Sequence, residues 1–205
     1  MMILILLISG YISGSIPFAV VVSRLKGVDI CKVGTGNPGA ANVYREVGKR
    51  YGILVWILDT AKGILPMIIA GILKQPLIVI AATGSAAIVG HCFSLFLKLK
   101  GGKGVATMGG VTIYLFPLLF PIGAFLYFWV QRRKRKPSII YIAFLIFFAV
   151  AFIFHYLQII TFHQRFYLQP RGFEIILSML LLLTVAMIAN ISTVKEVKEL
   201  WSKKN

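Results

Sequence analysis

Long apolar runs separated by short basic segments constrain this chain more than any other feature of its sequence. A membrane-spanning helix needs roughly 20 apolar residues, and runs of about that length cover residues 1–23, 52–73, 77–97, 137–156 and 174–192. The run 105–130 is longer and is broken by Pro117 and Pro121, which cannot continue a regular helix. The sequence therefore predicts an all-α integral membrane protein, a polytopic bundle of about seven transmembrane helices, with five full spans and one broken-helix hairpin.

The composition excludes an ordinary soluble domain. Hydrophobic residues make up 59% of the chain, charged residues 14%, and the mean hydropathy is +0.88. A soluble domain is about half apolar and about a quarter charged. The first run lacks a basic segment before it and a small-residue cleavage site, so we interpret it as a retained span rather than a signal peptide. We expect one transmembrane domain over residues 1–205, because no long polar segment interrupts the runs.

The basic residues predict the orientation in the membrane. The formal net charge of +16 would suggest nucleic acid in a soluble protein, but here the Lys and Arg residues lie in the connections. Six fall in 24–50, three in 98–103, five in 132–136 and four in the tail after residue 194. Cytoplasmic connections are enriched in Lys and Arg. We therefore expect the N-terminus outside, the C-terminus in the cytoplasm and no nucleic-acid partner.

The first connection, residues 24–50, contains a stretch suited to binding an anion. Gly34, Gly36, Pro38 and Gly39 rule out a regular helix over residues 34–39 and leave backbone N–H groups able to converge on one object. Side-chain donors follow at Asn37, Asn42 and Arg45. A phosphate fits such a loop best. The alternative is a glycine-rich connector without a ligand.

The second connection, residues 98–104, is compact and basic. Lys103 stands between Gly102 and Gly104, next to Gly101. This is not a nucleotide-binding P-loop, because that motif requires Ser or Thr directly after the lysine. We expect the Lys103 ammonium to lie on a flexible backbone at the membrane face, with Lys100 beside it. The alternative is that these lysines anchor the chain to lipid headgroups.

Asp59, Lys62 and His91 fall well inside the predicted spans. Asp59 and Lys62 are three residues apart, share a helix face and can pair. Ionisable groups within a membrane mark functional sites by default, so Lys62 either faces the substrate or forms an internal ion pair. His91 could donate to a buried anion, act as a general base or play a structural role, and no carboxylate is placed by sequence to orient it.

Metal chemistry is not predicted. Cys31 and Cys92 give neither a disulfide framework nor a metal-ligand spacing, and His155 and His163 form no ligand cluster with His91. We expect no cofactor. Only six acidic residues are present, so few groups could act as a base, and a reaction here would depend on positioning and electrostatics.

Taken together, these motifs resemble a known family. They are Gly34-x-Gly36-Asn37-x-Gly39-Ala40-x-Asn42-x-x-Arg45, Asp59-x-x-Lys62-Gly63, Gly90-His91-x-Phe93 and Lys100-Gly101-Gly102-Lys103-Gly104-Val105-Ala106-Thr107. In order and spacing they resemble the bacterial acyl-phosphate:glycerol-3-phosphate acyltransferase family, the PlsY type. The resemblance runs from about residue 10 to residue 110.

The resemblance implies an enzyme of the bacterial inner membrane with its active site facing the cytoplasm. It would transfer a fatty acyl group from acyl phosphate to glycerol 3-phosphate, giving lysophosphatidic acid and phosphate, the first step of phospholipid synthesis. By this resemblance Asn37 and Arg45 hold phosphate and polarise the acyl carbonyl, while Lys103 binds glycerol phosphate. The further substrate-binding candidates are Gly34, Thr35, Gly36, Gly39, Asn42, Lys62, His91, Gly101, Gly102, Gly104, Ser138 and Asn190.

The chain also departs from the family pattern. The family has Ser at Thr35, Thr at Ala41 and Pro at Ser94, and its C-terminal motif carries a His three residues before the position of Asn190. Here residue 187 is methionine, so that His is missing. The chain is therefore a weaker enzyme of the same reaction, a relative with another phosphorylated acceptor, or a non-catalytic paralogue. The rival class is a transporter that binds phosphate or phospholipid headgroups.

Overall fold

The computed structural model describes residues 1–115, together with residues 117 and 181. Six α-helices and one 3₁₀ turn form this part of the chain. The helices are α1 (Met2–Ser15), α2 (Phe18–Arg24), α3 (Ala40–Glu46), α4 (Lys49–Ile72), α5 (Leu77–Cys92) and α6 (Val105–Leu115), and the 3₁₀ turn is Leu95–Leu97. The described residues are all-helical, without strands, as predicted. The predicted hairpin beyond α6, the spans 137–156 and 174–192, and the basic cluster 132–136 lie outside them.

Among the described residues, three segments are long and apolar enough to cross a membrane: Met2–Arg24, Lys49–Ile72 and Leu77–Leu97, with 23, 24 and 21 residues. They correspond to the predicted spans 1–23, 52–73 and 77–97. The first span consists of two helices, because α1 ends at Ser15 and α2 begins at Phe18. Pro17 explains the break, since proline lacks an N–H and forces the preceding residue out of helical backbone angles; Ile16 has ψ 118°.

Close glycine contacts fix the relative directions of the helices. A side chain on Gly10 would meet Thr83, and one on Gly14 would meet Ala87, so α1 and α5 run parallel. Gly104, directly before α6, lies against Ile88 and Cys92, and Gly84 lies against Val111, so α5 and α6 run antiparallel. Gly63 packs against Thr107 and Gly110 against Thr60 where α4 and α6 cross.

These directions decide which chain ends meet. Helix α5 follows α4 after a short turn and returns in the opposite direction, as in a helical hairpin. The C-terminal ends of α2 and α5 and the N-terminal ends of α4 and α6 therefore lie at one end of the bundle, which we call the loop end.

Both connections lie at this loop end. A buried apolar cluster under the first connection contains Val20 and Val22 of α2, Ile30 of the connection, Val43 of α3 and Val55 of α4. Leu97, immediately before the second connection, packs against the same cluster. The two connections therefore meet at one end of the bundle, and apolar burial holds their bases together.

Candidate active site

The first connection is held in shape by one buried amide. Asn42 is 1% exposed, and its Nδ2 donates to the carbonyl oxygens of Ile30 and Val33, at 3.2 and 3.0 Å. Its Oδ1 accepts the N–H of Thr35 at 3.1 Å. The side chain therefore pins the loop from inside, whereas the sequence predicts that it contacts a ligand directly.

Two of the three predicted glycine donors are already engaged. The N–H of Gly36 donates to the carbonyl of Val33 at 3.0 Å, and the N–H of Gly39 donates to the carbonyl of Asn37 at 2.9 Å. Gly36 has φ +66°, the left-handed region that favours glycine. These glycines shape the turn by conformation, and the expectation that their N–H groups point together at an anion does not match this hydrogen-bonding pattern.

Gly34 is required for a different reason. Its φ is +58°, and a Cβ at this position would lie 2.5 Å from both Asn42 Oδ1 and Glu46 Oε1. Any side chain would collide with the amide that pins the loop. The contact also brings the Glu46 carboxylate against the glycine stretch, a neighbour that sequence separation alone does not indicate.

Asn37 and Arg45 remain accessible. Asn37 is half-buried and Arg45, in the last turn of α3, is exposed. Within the described part of the chain, no hydrogen bond or ion pair engages the Arg45 guanidinium. The Thr35 hydroxyl is 3.5 Å from the N–H of Asn37, a long contact inside the same turn. The loop therefore presents one amide and one guanidinium to its surroundings.

The second connection folds back onto the end of α5. The N–H of Gly101 donates to the carbonyl of Cys92 at 2.9 Å, and the N–H of Gly102 donates to the carbonyl of His91 at 3.0 Å. These bonds satisfy carbonyls that the end of a helix leaves unpaired. A side chain on Gly101 would overlap the His91 carbonyl, so this close approach requires glycine. The two N–H groups cap a helix, and the connection offers its cations rather than these amides to a ligand.

Lys103 is half-buried and interacts within the protein, whereas Lys100 is exposed. Gly104, with φ +75°, closes the connection directly before α6. A Cβ on Gly104 would lie 2.9 Å from Cys92 Sγ, so that thiol is directly beneath the connection.

Lys62 and His91 are both buried in the bundle. Lys62 is 4% exposed; its Nζ is 2.8 Å from Asp59 Oδ1 and donates to the Ile16 carbonyl at 2.8 Å. His91 is 6% exposed, and its Nδ1 is 3.1 Å from Thr107 Oγ1. Of the alternatives for Lys62, the internal ion pair is the one that forms. Neither side chain faces an open surface among the described residues, in contrast to their prediction as substrate-binding groups.

Sequence reasoning missed the partners of His91. Asp59 Oδ1 lies 3.7 Å from His91 Nδ1, so a carboxylate does stand beside this imidazole. Thr107 was visible only as part of a motif. The signal that could have found both contacts is the pair of glycines Gly63 and Gly110, which lets α6 approach α4 closely.

The thiol in the first connection is not an activated nucleophile. Partial desolvation, and then the Asp29 carboxylate, raise the pKa of the Cys31 thiol, while Arg24 opposes them. A raised pKa leaves less thiolate at neutral pH, and thiolate is the reactive form. The predicted residues Ser138 and Asn190 lie outside the described part of the chain.

The fold and this end of the bundle define an integral membrane protein that brings two glycine-rich, cation-bearing connections together. The glycerol-3-phosphate acyltransferase family matches residues 4–201. The chain belongs to that family and is an acyltransferase, which confirms the predicted family.

Individual relatives agree. The chain is 44% identical to the glycerol-3-phosphate acyltransferase of Geotalea daltonii over 152 residues, covering 73% of this chain and 78% of that protein. It is 46% identical to the enzyme of the same name from Aquifex aeolicus over 134 residues, covering 60% and 68%.

Two crystal structures of PlsY, an integral membrane glycerol 3-phosphate acyltransferase, have similar folds. The glycerol 3-phosphate form gives a TM-score of 0.72 and the lysophosphatidic acid form 0.73. Each is 30% identical and covers 97% of this chain and 93% of the other.

Proposed function

We propose that this chain transfers a fatty acyl group from acyl phosphate to glycerol 3-phosphate, giving lysophosphatidic acid and inorganic phosphate. The observation that carries the proposal is the placement of both connections at one end of the bundle, with Asn37 and Arg45 on one and Lys103 on the other. The similar PlsY structures, in glycerol 3-phosphate and lysophosphatidic acid forms, support these substrates.

In the proposed reaction a hydroxyl of glycerol 3-phosphate attacks the acyl carbonyl carbon, and the bond from that carbon to the phosphate oxygen breaks. The hydroxyl proton passes to the departing phosphate, so no protein base is required. Arg45 and Asn37 donate to the acyl phosphate and to the carbonyl oxygen as negative charge develops on it. Lys103 binds the phosphate of the acceptor and holds its hydroxyl in reach of the carbonyl.

The engaged glycines refine these roles. Gly36, Gly39, Gly101 and Gly102 use their N–H groups inside the protein, so we assign phosphate recognition mainly to side-chain donors. A guanidinium binds phosphate in a planar, bidentate geometry, whereas an ammonium acts as a point charge. Arg45 is therefore the better partner for the oxygens that change charge during the reaction, and Lys103 for the acceptor's unchanging phosphate.

The orientation proposed from the sequence places the loop end in the cytoplasm at the inner membrane, within a single domain of about seven helices. Among the described residues, the loop end carries nine Lys and Arg residues in 24–50 and 98–103, whereas the connection between α4 and α5 carries Lys74. This asymmetry follows the positive-inside rule. Labelling of a cysteine introduced at Lys98 in inverted vesicles, but not in intact cells, is the expected result.

The enzymatic proposal is tested with protein in detergent, acyl phosphate and glycerol 3-phosphate. We expect phosphate release that requires the acceptor, together with lysophosphatidic acid formation. Arg45→Ala and Lys103→Ala should each reduce kcat/KM by about a hundredfold or more, the loss typical when one group stabilising the transition state is removed.

Matched controls are Arg50→Ala and Lys98→Asn, which remove exposed cations at the same end; asparagine tolerates the left-handed backbone of Lys98. Both should retain activity. Phosphate release without acyl transfer, or full activity in Arg45→Ala, would contradict the proposal. Binding of glycerol 3-phosphate without any turnover would instead favour the non-catalytic paralogue or a transporter.

A further inference from the structure

A cluster of four buried polar side chains lies beneath the second connection. Asp59 and Lys62 come from α4, His91 from α5 and Thr107 from α6; they are 1%, 4%, 6% and 0% exposed. Asp59 Oδ1 is 2.8 Å from Lys62 Nζ and 3.7 Å from His91 Nδ1, which in turn is 3.1 Å from Thr107 Oγ1. The contacts form one chain of groups across three helices.

One end of this cluster supports the second connection. The other nitrogen of the His91 ring, Nε2, faces Gly102 so closely that a Cβ on Gly102 would overlap it. The His91 carbonyl also accepts the Gly102 N–H. The imidazole and the backbone of one residue therefore fix the glycine that directly precedes Lys103.

The other end holds the break between α1 and α2. Lys62 Nζ donates to the Ile16 carbonyl and lies 5.7 Å from the centre of the Phe18 ring. The proline after Ile16 interrupts the helix, and the N–H of Val20 donates to the Pro17 carbonyl instead. Lys62 thus supplies a donor at the interruption from which α2 leads into the first connection.

We propose that the cluster of Asp59, Lys62, His91 and Thr107 is a positioning unit that sets the backbone of the second connection, and with it Lys103, for binding the acceptor phosphate. This inference rests on the proposed function. A buried ion pair is weak evidence for stability, because desolvation offsets its attraction. Ionisable groups within a membrane are expensive to retain without a role. Here His91, at one end of the cluster, contacts the backbone of Gly102 in the second connection. Lys62, at the other end, contacts the Ile16 carbonyl in the segment that leads to the first connection.

Two matched threonine variants separate positioning from stability. Thr107→Val keeps the shape of the side chain and removes the hydroxyl that bonds His91. Thr112→Val is the control on the same helix: its hydroxyl is also buried, but it donates only to the Met108 carbonyl one turn earlier. A general loss of α6 stability would affect both variants alike.

The native cysteine Cys92 reports on the connection independently of activity. Its thiol lies beneath Gly104, its carbonyl accepts the Gly101 N–H, and it is 7% exposed. In a Cys31→Ser background, the rate of alkylation by N-ethylmaleimide measures how often the connection opens. We expect Thr107→Val to accelerate labelling about three- to tenfold, the population shift that follows the loss of one hydrogen bond, and Thr112→Val to leave it unchanged.

The kinetic measurement compares the KM for glycerol 3-phosphate with the KM for acyl phosphate. Thr107→Val should raise the KM for glycerol 3-phosphate about three- to tenfold while the KM for acyl phosphate stays unchanged. His91→Asn, which keeps a polar group at the Nδ1 position, should show a milder rise than His91→Leu. Thr112→Val should match the wild type in both constants.

Three outcomes overturn the positioning role: unchanged labelling and KM in Thr107→Val, equal effects in the two threonine variants, or equal rises in both KM values. Faster Cys92 labelling in a protein that shows no acyl transfer would support the positioning of the connection and contradict the proposed function instead. The labelling and kinetic experiments can therefore fail separately.

Discussion

The two connections at the loop end are fixed by different means. In the first connection, Asn42 bonds partners that lie 7 to 12 residues away along the chain. In the second, the N–H groups of Gly101 and Gly102 donate to carbonyls at the end of α5, and the His91 imidazole under Gly102 hydrogen-bonds Thr107 of α6. The first connection is therefore held by hydrogen bonds within its own segment, whereas the second is held by its contacts with the packed helices.

This difference teaches where each loop is vulnerable. Damage to the first connection should stay local, since its hydrogen bonds close within one segment. Damage to a buried helix contact can reach the second connection without touching any of its residues. Energetic coupling between distant sites travels through such packed networks, and the three predictions below test whether the two loops respond separately.

The largest effect is expected from Lys62→Met. The substitution leaves the Asp59 carboxylate buried without its partner, and breaking a buried pair in this way destabilises a protein by about 3–5 kcal/mol. Asp59→Leu combined with Lys62→Met should recover much of the loss, because apolar replacement of both partners is often neutral. Thermal unfolding in detergent measures the stability. Labelling of Cys92 should accelerate, while Cys31 in the first connection should keep its wild-type rate.

A double variant no more stable than Lys62→Met would show that the unpaired Asp59 carboxylate does not cause the loss of stability. Faster labelling of both cysteines would mean that losing the bond from Lys62 to the Ile16 carbonyl also disturbs the first connection through α2, which contradicts the separation drawn above.

A smaller and local effect is expected from Asn42→Ala. The buried Ile30 carbonyl loses its partner, the half-buried Thr35 N–H loses its acceptor, and the Val33 carbonyl keeps only the Gly36 N–H. An unsatisfied buried group costs about 1–3 kcal/mol. Trypsin should cleave the first connection faster, at Lys32, while Cys92 labelling stays unchanged. Asn37→Ala is the control: it removes an amide from the same loop that makes no pinning bond, so it should lower activity without raising the cleavage rate. Equal cleavage of both variants would refute the pinning role.

The sequence was informative where the physics is local. Apolar length predicted the three described spans, glycine and proline predicted the irregular 34–39 segment, and spacing predicted the Asp59–Lys62 pair. Pro17 is equally visible in the sequence, but a proline inside a long apolar run does not by itself show whether the helix bends or stops there. The motifs pointed to two glycine-rich loops that meet, and the packing brings both to one end of the bundle.

Other features depend on packing and could not be predicted from the chain alone. The neighbours of His91 come from helices 32 residues before it and 16 after it, brought close by contacts at Gly63 and Gly110. The glycine N–H groups were expected to face an anion, but backbone donors are satisfied by whichever carbonyl the fold brings near. Glycine content predicts a flexible backbone, and it does not predict which partner each N–H takes.

The smallest effect is expected from an ion pair that has the same sequence spacing as Asp59 and Lys62 but is exposed to solvent. Asp29 and Lys32 in the first connection are three residues apart, like Asp59 and Lys62, and also form an ion pair, at 3.5 Å. Their side chains are 40% and 82% exposed, against 2% and 4% for the buried pair. Exposed pairs contribute about 0–1 kcal/mol and are screened by salt. Lys32→Met should therefore change the unfolding temperature far less than Lys62→Met, and the small difference should vanish in molar salt. A loss of stability comparable to that of Lys62→Met would mean that the first connection, too, depends on an interaction which its exposure conceals.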